Sequence, residues 1–357
     1  MSRFLKEKYK SLKEYTPGEQ PKGREYIKLN TNESPFPPSK QAIRLAAEAA
    51  KRLMLYPDPN VSVLTSLMAD TLGVCADKVI MSNGSDEVLN FAFMAWCDGN
   101  CPAVFPDITY GFYRVFADIN KLPYKEIPLK EDFTLDMSAL KRERGTLFIA
   151  NPNAPTGIAV GLSEIEELLA SDRDRIVVVD EAYVDFGTES AVSLIDKYEN
   201  LFVTGTFSKS RSMAGARLGY GVGSKELIAD LMKIKYSTNP YNVNRMTAAA
   251  GEGALLDKAY FEKNCKAIIE NRETFSKKLM DMGFELTPSN ANFLFAKTDK
   301  ISGEELYLAL KERGVLVRHF GGERIKDYNR ITVGNAEQMQ TLVCKITEIL
   351  KEKSQNP

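Results

Sequence analysis

An α/β fold is predicted here: a mainly parallel sheet covered by helices on both faces, with a small α+β domain attached. Three observations predict it. The short β-branched runs TLFIA (146–150), IVVVD (176–180) and LFVTG (201–205) lie between turn signals and read as strands buried on both faces. Segments long enough for helices of about a dozen residues separate them, the rhythm of strand–helix–strand units. After about residue 258 the texture shifts to a long charged helix and then hairpin-like strands.

Taken in order, residues 1–39 are rich in Pro, Gly, Asn and Lys, with little regular structure beyond an amphipathic start at Phe4 to Tyr15. Residues 41–55, QAIRLAAEAAKRLML, carry apolar positions at helical spacing and stop before Tyr56-Pro57-Asp58-Pro59, where two prolines forbid continuation. A helix near Ser62 to Leu72 leads to a strand at Lys78 to Met81, the turn Asn83-Gly84-Ser85, a helix at Asp86 to Trp96 and a strand at Ala103 to Phe105. RLGYGV (217–222) completes the large sheet. Beyond it lie a helix at Ala259 to Met282, a hairpin at Phe284 to Ala296, a helix near Gly303 to Arg313, strands at Val315 to Arg318 and Arg330 to Val333, and a terminal helix. The expected division is 1–39 joining the small domain, 40–258 as the large domain and 259–357 as the small one.

Forty-seven Lys and Arg against 48 Asp and Glu give a net charge of -1, which offers no reason to expect nucleic acid or an anionic membrane as partner. Small molecules and other protein chains remain. Five cysteines with no C-x-x-C pair argue against a zinc or disulfide framework and fit reduced thiols in the cytoplasm; no metal is expected. No apolar leader opens the chain and no apolar run approaches a membrane span, so a soluble protein is expected. A single histidine, His319, leaves acid–base chemistry near neutral pH to another group, with lysine the natural candidate.

Lys209 lies in the Ser/Gly-rich loop TFSKSRSMAGARLGY (206–220), at the carboxyl end of a strand, where open α/β sheets place ligands. Alone it reads as a solvated loop lysine. Its neighbours Thr206, Ser208 and Arg217 suit a phosphate dianion. NGSDE (83–87) places Gly84 and Ser85 at a strand-to-helix turn, a second anion site or an ordinary helix cap. Asp180 ends a buried strand, where a carboxylate needs a cationic partner such as a pyridinium nitrogen. Tyr183 follows it, facing a cofactor or filling the core. NPNAPTG (151–157) makes a rigid turn able to hold an Asn side chain at the ligand.

With these motifs together, the chain resembles the fold type I pyridoxal-phosphate aminotransferases, and among them the histidinol-phosphate aminotransferase family. EYTPGEQP (14–21), KLNTNESPFPPS (28–39), YPDP (56–59), NGSDE, TYGFY (109–113), the P-T-G turn, DEAYVDF, the S-K-x7-R segment and RITVG (330–334) recur in that family's order, nearly end to end. The resemblance implies that Lys209 bonds pyridoxal 5'-phosphate as a Schiff base and shuttles the substrate proton. It pairs Asp180 with the pyridine nitrogen, sets Tyr183 at the phenolic oxygen and stacks Tyr110 on the ring. Gly84, Ser85, Asp86, Thr206, Ser208 and Arg217 hold the cofactor's phosphate end, joined by Tyr56 from the partner of a homodimer. Arg330 takes a substrate carboxylate and Arg318 a substrate phosphate, while Asn32 and Tyr15 line the mouth.

One departure stands out: the family's Asn before Pro is Ala154 here, so Asn153 or Tyr183 alone is expected to serve the phenolic oxygen. The implied reaction is ping-pong, from an amino donor such as histidinol phosphate to 2-oxoglutarate, in histidine biosynthesis. Rivals on the same scaffold are a phosphate-ester amino acid decarboxylase and an aromatic-amino-acid transaminase. The absence of G-x-G-x-x-G after the first strand counts against a dinucleotide oxidoreductase, and a catalytically silent binding module would stay colourless with pyridoxal phosphate.

Overall fold

Alternation of apolar side chains along the central strands determines how the layers stack. The computed structural model describes residues 2–10, 12 and 15–355. In chain order the strands are β1 (Ile27–Lys28), β2 (Val79–Ser82), β3 (Ala103–Pro106), β4 (Tyr124–Ile127), β5 (Thr146–Ala150), β6 (Val177–Asp180), β7 (Leu201–Thr206), β8 (Gly219–Gly223), β9 (Glu285–Leu286), β10 (Phe293–Lys297), β11 (Val315–Leu316), β12 (Arg318–His319) and β13 (Asn329–Thr332). Among the described residues a seven-stranded sheet runs β2-β8-β7-β6-β5-β3-β4. Phe148, Val178 and Phe202 point to one face, against helix Ser85–Trp96, and Leu147, Ile149, Val177, Val179 and Val203 point to the other, against helix Leu162–Ser171. Both faces are buried, which is why these strands read as unbroken apolar runs.

β8 is antiparallel to both its neighbours, β2 and β7, whereas the other pairs in this sheet are parallel. The chain therefore enters β8 at the edge where the other strands end. That reversal was not legible in RLGYGV, and it is what brings Arg217, just before β8, to the same edge as Lys209.

The second layer pairs β12-β13-β10-β9 in an antiparallel sheet, packed on helices Lys258–Asp281 and Ala336–Gln355 through Ile268, Phe275, Leu294, Ile331, Leu342 and Ile346. β1 pairs in parallel with β11, and Leu29 joins that same core, so the first segment is tied to the carboxy-terminal layer.

Several expectations shift. The expected strand 315–318 is two strands in different sheets. The expected helix 41–55 is Lys40–Ala50; beyond it the bonds tighten to three-residue steps, Lys51 to Glu48, Arg52 to Ala49 and Leu53 to Ala50, on the way to the two prolines. Of the amphipathic start, Glu7–Lys10 is helical, and part of the expected segment (residues 11, 13 and 14) lies outside the described residues. β4 went unread because it is an edge strand with exposed Tyr124 and Lys125 and little apolar signal. No helix among the described residues is long and apolar enough to cross a membrane.

Candidate active site

The carboxyl ends of β2, β3, β5, β6 and β7 meet at one edge, around a cavity of about 380 Å³ that opens into a second of about 950 Å³. The inner cavity is lined by Ser85, Asp86, Tyr110, Asp180, Tyr183, Thr206, Ser208, Lys209 and Arg217.

One end of it suits an anion. Gly84, at a φ of 78°, holds the cap position of helix Ser85–Trp96 and makes no side-chain cap bond, so Ser85 is the first helical residue and not the cap. Its first-turn amides are left for a ligand, at the positive end of the helix dipole. A β-carbon on Gly84 would stand 2.6 Å from Arg217 Nη2, and one on Gly219 would stand 2.3 Å from the Ser85 nitrogen. Both positions therefore need glycine for the cup to close. Arg217 donates through Nη2 to Asp86 Oδ2 at 2.8 Å, and Tyr110 donates to Asp86 Oδ1 at 2.6 Å. The Thr206 hydroxyl bonds Ser208 Oγ at 2.9 Å and accepts the Ser208 amide at 3.1 Å.

At the opposite end, buried Asp180 accepts Tyr113 at Oδ2, 3.1 Å, and Thr204 at Oδ1, 3.2 Å. Burial pushes its carboxyl up to about 6, against the Tyr113 bond and with the Asp86 charge adding to the rise. An acid held there in the absence of a cation is a ready partner for a protonated ring nitrogen. Neither Tyr113 nor Thr204 was singled out from the sequence. Tyr113 lies one helical turn past Tyr110, a spacing that could have flagged it; Thr204 reaches Asp180 through the β6–β7 register, which sequence does not show.

Between the two ends, Lys209 Nζ donates to the Thr31 carbonyl at 3.2 Å and stands 5.7 Å from the centre of the Tyr183 ring. The Thr31 hydroxyl bonds Glu33 at 2.8 Å, and Lys28 bonds the same carboxylate at 2.7 Å. Burial raises the Glu33 carboxyl, but these two bonds and the charges of Lys28 and Lys209 outweigh it and leave it below its ordinary range. Asn32 donates to Tyr183 Oη at 2.9 Å. It is buried at a left-handed φ of 56°, fixed by Thr332 and by the Asn292 amide bonded to its carbonyl. Thr31, Glu33 and Thr332 lie in the motif segments but carry no role from the sequence, and Asn292 lies outside them.

Of the two alternatives for the phenolic oxygen, Asn153 or Tyr183 alone, Asn153 has its side chain engaged elsewhere. Its Nδ2 donates to the Ile108 carbonyl and to Thr156 Oγ1, both at 3.0 Å, and its Oδ1 accepts Thr109 at 2.8 Å. The amide is spent inside the turn, and Ala154 lines the cavity in its place.

The outer cavity holds Arg318, Arg330, Asn32 and Tyr15 with Lys209 at its floor. Arg318 and Arg330 are cross-strand partners on β12 and β13. Arg330 lies between Phe293 and Phe320, 5.4 and 5.5 Å from their ring centres, and donates to the Asn30 carbonyl at 3.1 Å, with its buried Nε unpartnered. Arg318 donates to the carbonyls of Thr16 and Pro17 at 3.0 and 3.2 Å. Neither forms an ion pair with a carboxylate among the described residues, so two adjacent guanidiniums line the cavity without a carboxylate in contact. Tyr15 packs on Phe112 with ring centres 4.4 Å apart. Tyr56 is not brought to this cavity within the chain: it is exposed and stacks on Tyr241.

Such an arrangement can hold a phosphorylated, cationic ring by both ends, present an amine to its middle and admit an anionic substrate from outside. Residues 24–346 match the family described as aminotransferase class I and II. Histidinol-phosphate aminotransferase of Brachyspira hyodysenteriae is 46% identical over 353 residues, 98% of this chain and 100% of that one. Among solved structures, histidinol-phosphate aminotransferase from Sinorhizobium meliloti in complex with pyridoxal-5'-phosphate superposes with a TM-score of 0.84, covering 92% of each chain at 23% identity. L-threonine-O-3-phosphate decarboxylase from Porphyromonas gingivalis does so at 0.78, over 91% of this chain and 99% of that one, also at 23% identity. At that identity both likenesses speak for the fold alone.

Proposed function

The chain belongs to the aminotransferase class I and II family, and we propose that it moves an amino group from histidinol phosphate to 2-oxoglutarate in histidine biosynthesis, with Lys209 as the catalytic residue. The cofactor of this aminotransferase is pyridoxal phosphate, and the inner cavity suits it: a glycine-walled anion cup at one end, a buried acid at the other, and an amine between them. Bound there, pyridoxal phosphate supplies an electron-accepting ring that stabilises the charge left when the substrate carbon loses its proton.

The roles follow from position. Gly84, Ser85, Thr206, Ser208 and Arg217 hold the phosphate, with Asp86 fixing Arg217 and Tyr110 from behind. Asp180 takes the ring nitrogen, steadied by Tyr113 and Thr204. Tyr110 covers the ring face. Tyr183, oriented by Asn32, takes the phenolic oxygen without help from Asn153. Lys209 Nζ would hold the cofactor and, when free, take the proton at the substrate carbon and keep it as an ammonium that donates to the Thr31 carbonyl.

The observation that carries the choice of substrate is the Arg318–Arg330 pair, which shares a cavity with Lys209 and has no carboxylate in contact. A guanidinium takes phosphate or carboxylate in a fork. One pair can therefore serve the donor's phosphate and the acceptor's carboxylates in turn, with Arg318 leaning to the phosphate. The enzyme is proposed to act in the cytoplasm, and exposed Leu53, Met54 and Tyr56 support a homodimer in which Tyr56 completes the partner's phosphate cup. The large and small domains, divided near residue 258, carry the cofactor and the arginine pair respectively.

A panel of histidinol phosphate, phenylalanine and O-phosphothreonine, each with 2-oxoglutarate, tests the reading. Glutamate should form fastest with histidinol phosphate, and no carbon dioxide should be released. Carbon dioxide from O-phosphothreonine would favour the decarboxylase. Borohydride treatment should add the pyridoxyl mass at Lys209, and Lys209→Ala should lose both that mass and turnover; full turnover in that variant would refute the assignment.

A further inference from the structure

A lysine far from the chemistry is buried without an ion-pair partner in contact. Lys235, on helix Lys225–Thr238, is 1% exposed, and its ammonium donates to the Pro59 carbonyl at 2.5 Å. Burying an ammonium on a single carbonyl is a poor source of stability, since a well-packed apolar side chain would serve as well or better. It does fix whatever that carbonyl belongs to, and here that is the segment Tyr56-Pro57-Asp58-Pro59.

Two more contacts converge on the same segment. Tyr236, the next residue, donates to Asn60 Oδ1 at 2.7 Å, and Arg245 donates to the Tyr56 carbonyl at 2.5 Å. Asp58 caps the following helix through the amides of Asn60 and Ser62, at 2.9 and 2.8 Å. The segment is thus rigid in its backbone while the Tyr56 side chain stands 79% exposed. An exposed aromatic on a clamped backbone is preorganised for something outside the chain.

The clamp also connects to the cofactor cup. The Lys235 ammonium is favoured by the charges of Glu87 and Asp58. Glu87 accepts the Asn83 amide at 2.7 Å and Asn242 Nδ2 at 2.5 Å. Asn83 opens the turn that ends in Gly84 and Ser85. One buried cation therefore bonds the loop that presents Tyr56 and is favoured by the charge of a carboxylate that bonds this chain's own phosphate turn.

We propose that Lys235 is a positioning residue for pyridoxal phosphate binding, holding the Tyr56 loop where the tyrosine hydroxyl meets the phosphate in the partner's cup. This rests on the reading that Tyr56 acts across a homodimer. The full-length protein, stripped of cofactor and titrated with pyridoxal phosphate by absorbance, tests it through a double-mutant cycle. Tyr56→Phe should weaken cofactor binding about tenfold, the weight of one hydrogen bond to a charged group. Lys235→Met should weaken it by a similar factor, and Tyr56→Phe made within Lys235→Met should add almost nothing. A merely structural lysine would lower thermal stability yet leave the two effects independent, so full additivity, or unchanged affinity in Lys235→Met, overturns the proposal. Should Lys235→Met not yield folded protein, the same cycle run with Lys235→Gln decides it. If Tyr56→Phe binds cofactor as the wild type does, or the wild type sediments as a monomer, the reading of Tyr56 fails and this inference with it.

Discussion

Tyr113 shows how a single hydroxyl can matter at this site. Its ring is wholly buried and its oxygen meets Asp180 Oδ2. Tyr113→Phe keeps the ring in place and removes a bond to a charged group, worth roughly 1.5–3 kcal/mol. A fall in kcat/KM of about tenfold or more is expected in steady-state kinetics; an unchanged value would mean that Thr204 alone suffices. Glu181 lies beside Asp180, buried and bonded by Ser190 Oγ at 2.5 Å and the Ala191 amide at 2.6 Å. Burial pushes its carboxyl up to about 8, against those bonds, with Asp185 and Asp180 adding to the rise. Unfolded, a glutamic acid titrates near ~4.3, so between there and about 8 the folded chain holds a proton that the unfolded chain has released. Stability of the cofactor-free protein therefore falls as pH rises through that window, by roughly 1.4 kcal/mol per pH unit at most, and levels off above it. Asp180 contributes a similar fall that is complete by about 6. Glu181→Gln has no proton to lose and keeps an acceptor for the Ala191 amide. Its urea midpoint should hold steady from about pH 6 to about pH 8, where that of the wild type drops; parallel curves would place the titration elsewhere. At this scale the sequence was informative about residue types and blind to partners. Asp180 and Lys209 were legible because an acid or a lone lysine at a strand end is chemically conspicuous. The diversion of Asn153 into its own turn was not, because it depends on Thr109 arriving from another segment.

At the scale of elements, the site depends on β8 running against its neighbours, and the glycines along it let neighbouring groups approach its backbone closely. A β-carbon at Gly221 would strike the Phe202 ring at 2.3 Å, whereas one at Gly219 would strike the backbone of Ser85 at 2.3 Å and of Gly84 at 2.4 Å. A ring can tilt; a neighbouring backbone must move as a unit. Gly219→Ala should therefore push the phosphate turn away from Arg217 and weaken pyridoxal phosphate binding out of proportion to any loss of stability. Gly221→Ala should act as ordinary overpacking, costing about 1–3 kcal/mol of stability with cofactor affinity nearly kept. Cofactor titration alongside chemical denaturation separates the two, and equal losses of affinity would contradict the assignment. The apolar runs made β5, β6 and β7 readable, since buried strands announce themselves by composition. The direction of β8 was hidden because Gly-rich strands carry little facial pattern, and pairing direction depends on where the chain re-enters the sheet.

The whole molecule presents a surface that one chain does not cover. Helix Lys40–Ala50 and the turn after it leave Leu53 57% and Met54 80% exposed, with Val63 and Leu256 also open to solvent. The same apolar spacing that suggested a helix through residue 55 is thus directed outward, and sequence periodicity does not distinguish a face meant for the chain's own core from one meant for another copy. Scattered exposed leucines need no explanation, but Leu53, Met54 and Val63 flank in sequence the segment that presents Tyr56, where a second subunit would both cover them and receive the tyrosine. Met54→Arg puts a charge in the centre of that face while touching nothing buried in its own chain. The variant should unfold cooperatively at a lower, concentration-independent midpoint, sediment as a monomer and bind pyridoxal phosphate weakly, because each cup would lack its partner's Tyr56. If monomer and holoenzyme coexist, with Met54→Arg monomeric yet fully loaded with cofactor, then the phosphate cup is complete within one chain and the interface serves stability alone.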